Sequence, residues 1–212
     1  MARTPVNCRT RRQSAVEAIQ KRILDGDLKP GDRLRQIPLS KEHGVSQGVI
    51  RESLQTLEQY GLVTGTDRQG FVVRDFGWQE LSDAYRVREV LEGLAARLCC
   101  SKASYDDVEW LRNAAHQIHA RSGKGSRDER SDLEYQFHQR FLSISGNEML
   151  QRVSIGYRFV GNLVVAGRPP DELLEEHLGV VEAVANNQPD EAERLARLHV
   201  AISADSIVRS QA

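Results

Sequence analysis

From residue 79 to residue 209 the apolar residues recur at intervals of three and four, and no period-two alternation of useful length interrupts them. That pattern builds amphipathic helices and leaves no material for a sheet. The helices are separated at Ser104, the Gly/Ser-rich run Ser122 to Ser126, Ser145-Gly146-Asn147, Gly167-Arg168-Pro169-Pro170 and Asn186-Asn187-Gln188-Pro189. Such clusters supply turn chemistry and helix stops. The spacing predicts helices over about 79–102, 105–121, 128–145, 148–166, 171–186 and 189–209. The expectation is an all-α bundle of six or seven helices.

Other classes are set aside by composition. The 212 residues are 40% hydrophobic and 28% charged with a net charge of −1, ordinary for a folded domain or two. No apolar run approaches the roughly 18 residues that span a bilayer, and the first ten residues do not resemble a signal peptide. Three cysteines, two of them adjacent (Cys99, Cys100), make neither a disulfide framework nor a thiolate zinc pattern. A reduced, cytoplasmic protein with no membrane partner is expected.

Charge is unevenly spread. Residues 1–74 carry 13 Lys/Arg against 8 Asp/Glu, and residues 75–212 carry 16 against 22. A basic head on an acidic remainder suits a polyanion at the first part only. Within the head, Ser14 can cap a helix bearing Val16, Ile19, Ile23 and Leu24, which Asp25-Gly26-Asp27 ends. Lys29-Pro30-Gly31-Asp32 is a turn, and a short helix can begin at Pro38 and stop at His43-Gly44. Ser46 stands where an N-cap belongs, before Val49, Ile50, Leu54 and Leu57. Two extended pieces follow Gly61, namely 62–64 and 71–73.

Helix, helix, turn, helix and hairpin make a winged helix-turn-helix, expected over residues 12–75. Its third helix opens with Ser46, Gln47 and Gly48, short or polar residues that let the positive helix end approach a phosphate or base edge. Arg51 lies one turn on, where a guanidinium reaches guanine or the backbone; a surface ion pair is its alternative reading. Arg35 and the hairpin-tip residues Gln69 and Gly70 complete the candidate DNA contacts.

The head resembles the GntR family of bacterial transcription regulators. The resemblance runs through Ile23-Leu24-Asp25-Gly26, Leu28-Lys29-Pro30-Gly31-Asp32-Arg33-Leu34, Gly44-Val45-Ser46, Ile50-Arg51-Glu52-Ser53-Leu54, Gly61-Leu62-Val63 and Gly70-Phe71-Val72-Val73. Family members usually carry Arg directly after the Ser or Thr that opens the recognition helix; Gln47 stands there in this chain. Glutamine pairs bidentately with adenine where arginine favours guanine, so the operator is expected to differ from those of relatives.

In the bundle, Arg88 falls in the stripe Leu81, Tyr85, Arg88, Leu91, Glu92, Ala95, Leu98. An arginine there either pairs with Glu92 at i,i+4 or anchors an anionic ligand. Glu134 and His138 share one helix face. His177 and His199 lie in the apolar stripes of the last two helices, each eleven residues from Gln188 at the hinge. Antiparallel helices would bring the two imidazoles level. Three nitrogens and one carboxylate suit a divalent transition metal, zinc or nickel foremost. His116 and His119 lack a partner in register and read as surface residues.

Residues 79–209 resemble the FCD effector domain of the FadR-type branch of GntR regulators, through Val87-Arg88, Leu91-Glu92, Glu134-Tyr135-Gln136-Phe137-His138, Ser145-Gly146-Asn147, His177 and His199. The resemblance implies metal ligands at His138, His177 and His199, with Glu134 in the place of the family's aspartate. It also implies a small organic acid effector, which Arg88 would meet. The expected function is a ligand-responsive, sequence-specific regulator that binds a palindromic double-stranded DNA operator as a homodimer. A metal-independent regulator is the alternative. A metalloenzyme fused to a DNA-binding head is a further one, disfavoured because no general base is placed by motif.

Overall fold

The computed structural model describes residues 10–24, 26–66, 70–122, 127–154 and 169–209. The chain divides into two compact units at Phe76/Gly77. The first unit runs α1 (Arg11–Leu24), β1 (Arg33–Leu34), α2 (Gln36–His43), α3 (Gln47–Gln59), β2 (Val63–Thr66) and β3 (Gly70–Val73). Its core gathers Ile19 and Ile23 of α1, Leu39 of α2, Ile50, Leu54 and Leu57 of α3, and Leu34, Val63, Phe71 and Val73 of the strands. Two polar ties hold the helices in place. Arg22 forks onto both carboxylate oxygens of Glu42, at 2.9 and 3.0 Å. Ser53 donates to the carbonyls of Val49 at 2.8 Å and Arg12 at 3.3 Å.

Three local expectations change. The first helix starts at Arg11, so Ser14 lies inside it, and Thr10 is the residue whose hydroxyl accepts from the Gln13 N–H at 3.2 Å. α2 begins at Gln36, two residues before Pro38; proline is still tolerated there because first-turn N–H groups have no intrahelical acceptor. The wing has a third strand. β1 pairs with β3 through Arg33↔Val72 and Leu34↔Phe71, and the sheet order is β1-β3-β2. Two residues are too few for alternation to show in a sequence.

The second unit holds α4 (Trp78–Cys99), α5 (Tyr105–Ala120), α6 (Arg127–Ile144), α7 (Glu148–Ser154), α8 (Pro170–Ala185) and α9 (Pro189–Arg209). The helix expected over 148–166 is described only as α7; the rest lies outside the described residues. α4 ends at Cys99, whose carbonyl accepts from the N–H groups of Lys102 at 2.9 Å and Ala103 at 2.8 Å. Ser104 and Asp107 then form a reciprocal capping box at the start of α5. α4 and α9 approach closely because Gly93 has no side chain: a Cβ there would lie 2.6 Å from Cγ of Arg197. Asn187, at φ 52, turns the chain between α8 and α9, and Gln188 N–H bonds to the Ala183 carbonyl at 2.9 Å. Among the described residues no helix is long and apolar enough to cross a membrane.

Candidate functional site

Three histidines meet inside the second unit. α6 carries His138, α8 carries His177 and α9 carries His199, and the tight α8–α9 turn brings the last two level. Ring centroids stand 4.8 Å apart for His177 and His199, 5.2 Å for His138 and His199, and 5.8 Å for His138 and His177. One ring nitrogen of each lies within 4.8 Å of the others. Phe137 packs on His177 at 4.3 Å between centroids, and His177 and His199 are buried. The rings face a small cavity whose other walls include Glu92, Phe141, Val180 and Ala196.

Carboxylates fix two of the rings. Nδ1 of His138 lies 2.8 Å from Oε2 of Glu92, and Nδ1 of His199 lies 2.8 Å from Oε2 of Glu176. A carboxylate only accepts, so each Nδ1 carries a proton, and in the neutral ring Nε2 keeps its lone pair. This is how proteins commonly orient imidazole for a metal. Burial alone would raise the Glu92 pKa, but Arg88 and then His138 hold it well below the usual carboxylate range. For His199, burial lowers the pKa and outweighs the Glu176 bond that raises it. The neutral, ligating form is thereby favoured.

The donor set fits a divalent transition metal. Metal–nitrogen bonds of about 2.0–2.1 Å in a tetrahedron put donor atoms about 3.4 Å apart, so the histidine trio, within 4.8 Å, needs to contract by up to about 1.4 Å. Oε2 of Glu134 stands 3.6 Å from Nε2 of His177 and 3.9 Å from Nε2 of His138. Those separations are too long for hydrogen bonds and close to the spacing of co-ligands. Arg130, also 3.9 Å from Glu134, faces the same carboxylate. The chemistry available is metal coordination, and among the described residues that line the cavity none is a nucleophile. Cys99 is buried against the Phe141 carbonyl, and burial pushes its thiol pKa up to about 12.

Arg88 makes the i,i+4 pair: its Nε donates to Glu92, and its guanidinium lies over the Tyr85 ring at 5.3 Å. Burial would lower its pKa, yet Glu92 raises it, so the charge is retained. Sequence reasoning did not single out Glu92 or Glu176 as partners of histidines. Glu92 was visible only as a mate for Arg88. Glu176 neighbours His177 in the chain but serves His199, a pairing that only the α8–α9 packing reveals. His119 meets Asp171 at 2.8 Å, away from the trio.

In the first unit Ser46 caps α3, its hydroxyl accepting from the Val49 N–H at 3.3 Å. Arg35, Ser46, Gln47, Arg51 and Gly70 are all exposed. Arg51 makes no ion pair among the described residues. Gly70 has φ +83, which turns the chain into β3. Gln69 lies outside the described residues. Glu58, late in α3, accepts from the Gly65 N–H at 2.7 Å and braces β2 against the helix.

Comparisons with known proteins agree with both units. Residues 11–73 match the bacterial regulatory proteins of the gntR family, and residues 83–201 match the FCD domain. The chain is 28% identical over 187 residues to the HTH-type transcriptional regulator YdhC of Bacillus subtilis, covering 85% of this chain and 84% of that one. It is 29% identical over 185 residues to the Nta operon transcriptional regulator of Aminobacter aminovorans, covering 85% and 87%. Among solved structures it is similar in fold to E. coli McbR/YncC, with a TM-score of 0.82 at 18% identity over 96% of this chain and 99% of that one. With a winged helix-turn-helix joined to a helical domain of this kind, the chain belongs to the GntR family of bacterial transcriptional regulators, in the branch with an FCD domain, and is a DNA-binding regulator rather than an enzyme.

Proposed function

We propose that the FCD unit of this regulator binds a divalent transition metal, zinc or nickel, through His138, His177 and His199 with Glu134, and that a small organic acid is the effector. The observation that carries the reading is the convergence of three ring nitrogens within 4.8 Å. Two of those rings are held by carboxylates on their far nitrogens. A bound ion would supply a Lewis-acid position for the effector's carboxylate. The chain's own residues do the rest. Glu92 and Glu176 hold the rings, Arg88 keeps Glu92 charged, and Phe137 and Phe141 exclude water from one side. Arg88 has guanidinium nitrogens beyond the Nε given to Glu92, and these remain its route to an anionic effector.

In the head, Gln47 and Arg51 read base edges, Arg35, Ser46 and the wing tip at Gln69-Gly70 approach the backbone, and a homodimer engages a palindromic operator. One winged helix contacts too few base pairs to select a site in a genome, whereas two related by a two-fold axis read both half-sites. Effector binding switches the regulator only through unequal affinity for the two states of the protein. Native mass spectrometry of the purified full chain tests these claims together: the expected species is a dimer with one divalent ion per chain. A metal-free dimer that binds an organic acid supports the metal-independent regulator instead.

A further inference from the structure

Arg130, Glu134 and His138 stand four residues apart along α6. Four residues advance a helix by about 400°, so the three side chains follow one another along a single face. That face reads cation, carboxylate, imidazole. Glu134 divides its two oxygens between its neighbours. Oε1 lies 3.9 Å from a terminal nitrogen of Arg130, whereas Oε2 lies 3.6 Å from Nε2 of His177 and 3.9 Å from Nε2 of His138. The contact with Arg130 is an ion pair rather than a hydrogen bond. Both of its side chains are largely withdrawn from solvent, at 20% and 22% exposure. Helix energetics do not ask for Arg130. An arginine N-terminal to its glutamate is the less stabilising order of an i,i+4 pair, and a cation near a helix start opposes the dipole. The pair does match what surrounds the other candidate ligands, since Glu92 holds His138 and Glu176 holds His199, each through Nδ1.

We propose that Arg130 is a positioning residue for the metal centre: it retains Oε1 of Glu134, so that the carboxylate ligates through Oε2 alone and one coordination position stays free for an anion. This rests on the metal reading above and assigns Glu134 its mode of binding. A glutamate is able to ligate through one oxygen or through both. Three imidazole nitrogens and one carboxylate oxygen already make four donors, and a zinc-type ion takes a fifth only by expanding its shell. A second oxygen from Glu134 would fill that place and exclude an effector's carboxylate. Glutamate has one more rotatable bond than aspartate, and therefore more freedom to present both oxygens. An ion pair that burial shields from water removes that freedom. Arg88 is within electrostatic reach of Glu134 but gives its Nε to Glu92, whereas Arg130 pairs with Glu134.

The test loads the full chain with cobalt(II), whose d–d absorption reports the ligands of a zinc-type site, and titrates acetate as the anion. Far-UV circular dichroism checks folding. In wild type, acetate is expected to shift the cobalt bands. In Arg130→Met the apparent acetate affinity is expected to fall about tenfold or more, while Arg130→Lys, which keeps a cation in place, stays closer to wild type. Adding Glu134→Gln to Arg130→Met is expected to restore the response, because an amide presents a single oxygen donor; cobalt is kept saturating to offset the weaker site. A wild type that binds no cobalt overturns the metal reading and this role together. Cobalt bound by wild type and Arg130→Met with the same acetate response, or with none, overturns the role of Arg130 and leaves the metal reading standing. A response that stays lost in the double variant places Arg130 on the acetate itself and overturns its action through Glu134.

Discussion

His138 and Arg88 share one carboxylate: Glu92 accepts Nδ1–H of His138 on one oxygen, at 2.8 Å, and the Arg88 guanidinium on the other. The arrangement links the charge of an arginine in the first bundle helix, α4, to the orientation of an imidazole on α6. Removing one member of such a buried set leaves an uncompensated charge. Arg88→Ala is therefore expected to destabilise the FCD unit by about 3 kcal/mol, read from urea denaturation. A loss below about 1 kcal/mol would mean that Glu92 is satisfied without it.

Glu176 offers a gentler probe of ring orientation, because it lies at the edge of the site with 19% of its side chain exposed. Glu176→Ala frees the His199 ring to turn. The expected effect is a loss of about ten- to a hundredfold in zinc affinity, measured by competition with a chromophoric chelator, with the melting temperature of the metal-free protein little changed. Unaltered affinity would show that His199 needs no external support.

The capping box of α5 carries a pH signature. Bonds from Ser104, and next the contact with Arg140, lower the Asp107 pKa. A carboxylate depressed in the folded state stabilises it above the unfolded pKa of about 3.9, and that stability is lost as pH falls through the folded value. Ser104→Ala is expected to cost about 1 kcal/mol at pH 7. The gap from wild type should narrow as pH falls below about 3.9 and close below the lower folded value, where Asp107 is protonated in wild type as well. A gap that is constant across acid denaturation would assign the whole effect to the neutral Ser104 bond.

DNA recognition divides between two positions on α3. Arg51→Ala is expected to weaken binding to the operator by about 1–3 kcal/mol in an anisotropy titration, and binding to a randomised duplex by less. Equal losses on both would place Arg51 on phosphate. Gln47→Arg is expected to shift preference at one operator position from adenine toward guanine, read by selection from a randomised pool.

Much of this molecule is legible in its sequence because the signals are periodic and local. Ser46 caps α3 as its position implies, and the equal distances of His177 and His199 from Gln188 translate into neighbouring rings, 4.8 Å between centroids, once α8 and α9 run antiparallel. What escapes is what depends on tertiary contact. β1 is too short for a pattern, and it exists because β3 offers it an edge. Ser14 has the chemistry of a cap, but the helix already begins at Arg11, where the Thr10 hydroxyl accepts from the Gln13 N–H. Glu176 reaches across to the next helix, and nothing in its local spacing distinguishes it from Glu172 or Glu175.

The claim on which the rest depends is that the three converging imidazoles hold an ion. Elemental analysis of the purified protein after exhaustive dialysis against metal-free buffer and reloading with zinc measures it directly. The expected result is about one ion per wild-type chain and a large loss in His177→Ala, whose ring is buried beside the other two. No retained zinc in wild type, or equal retention in His177→Ala, would contradict it.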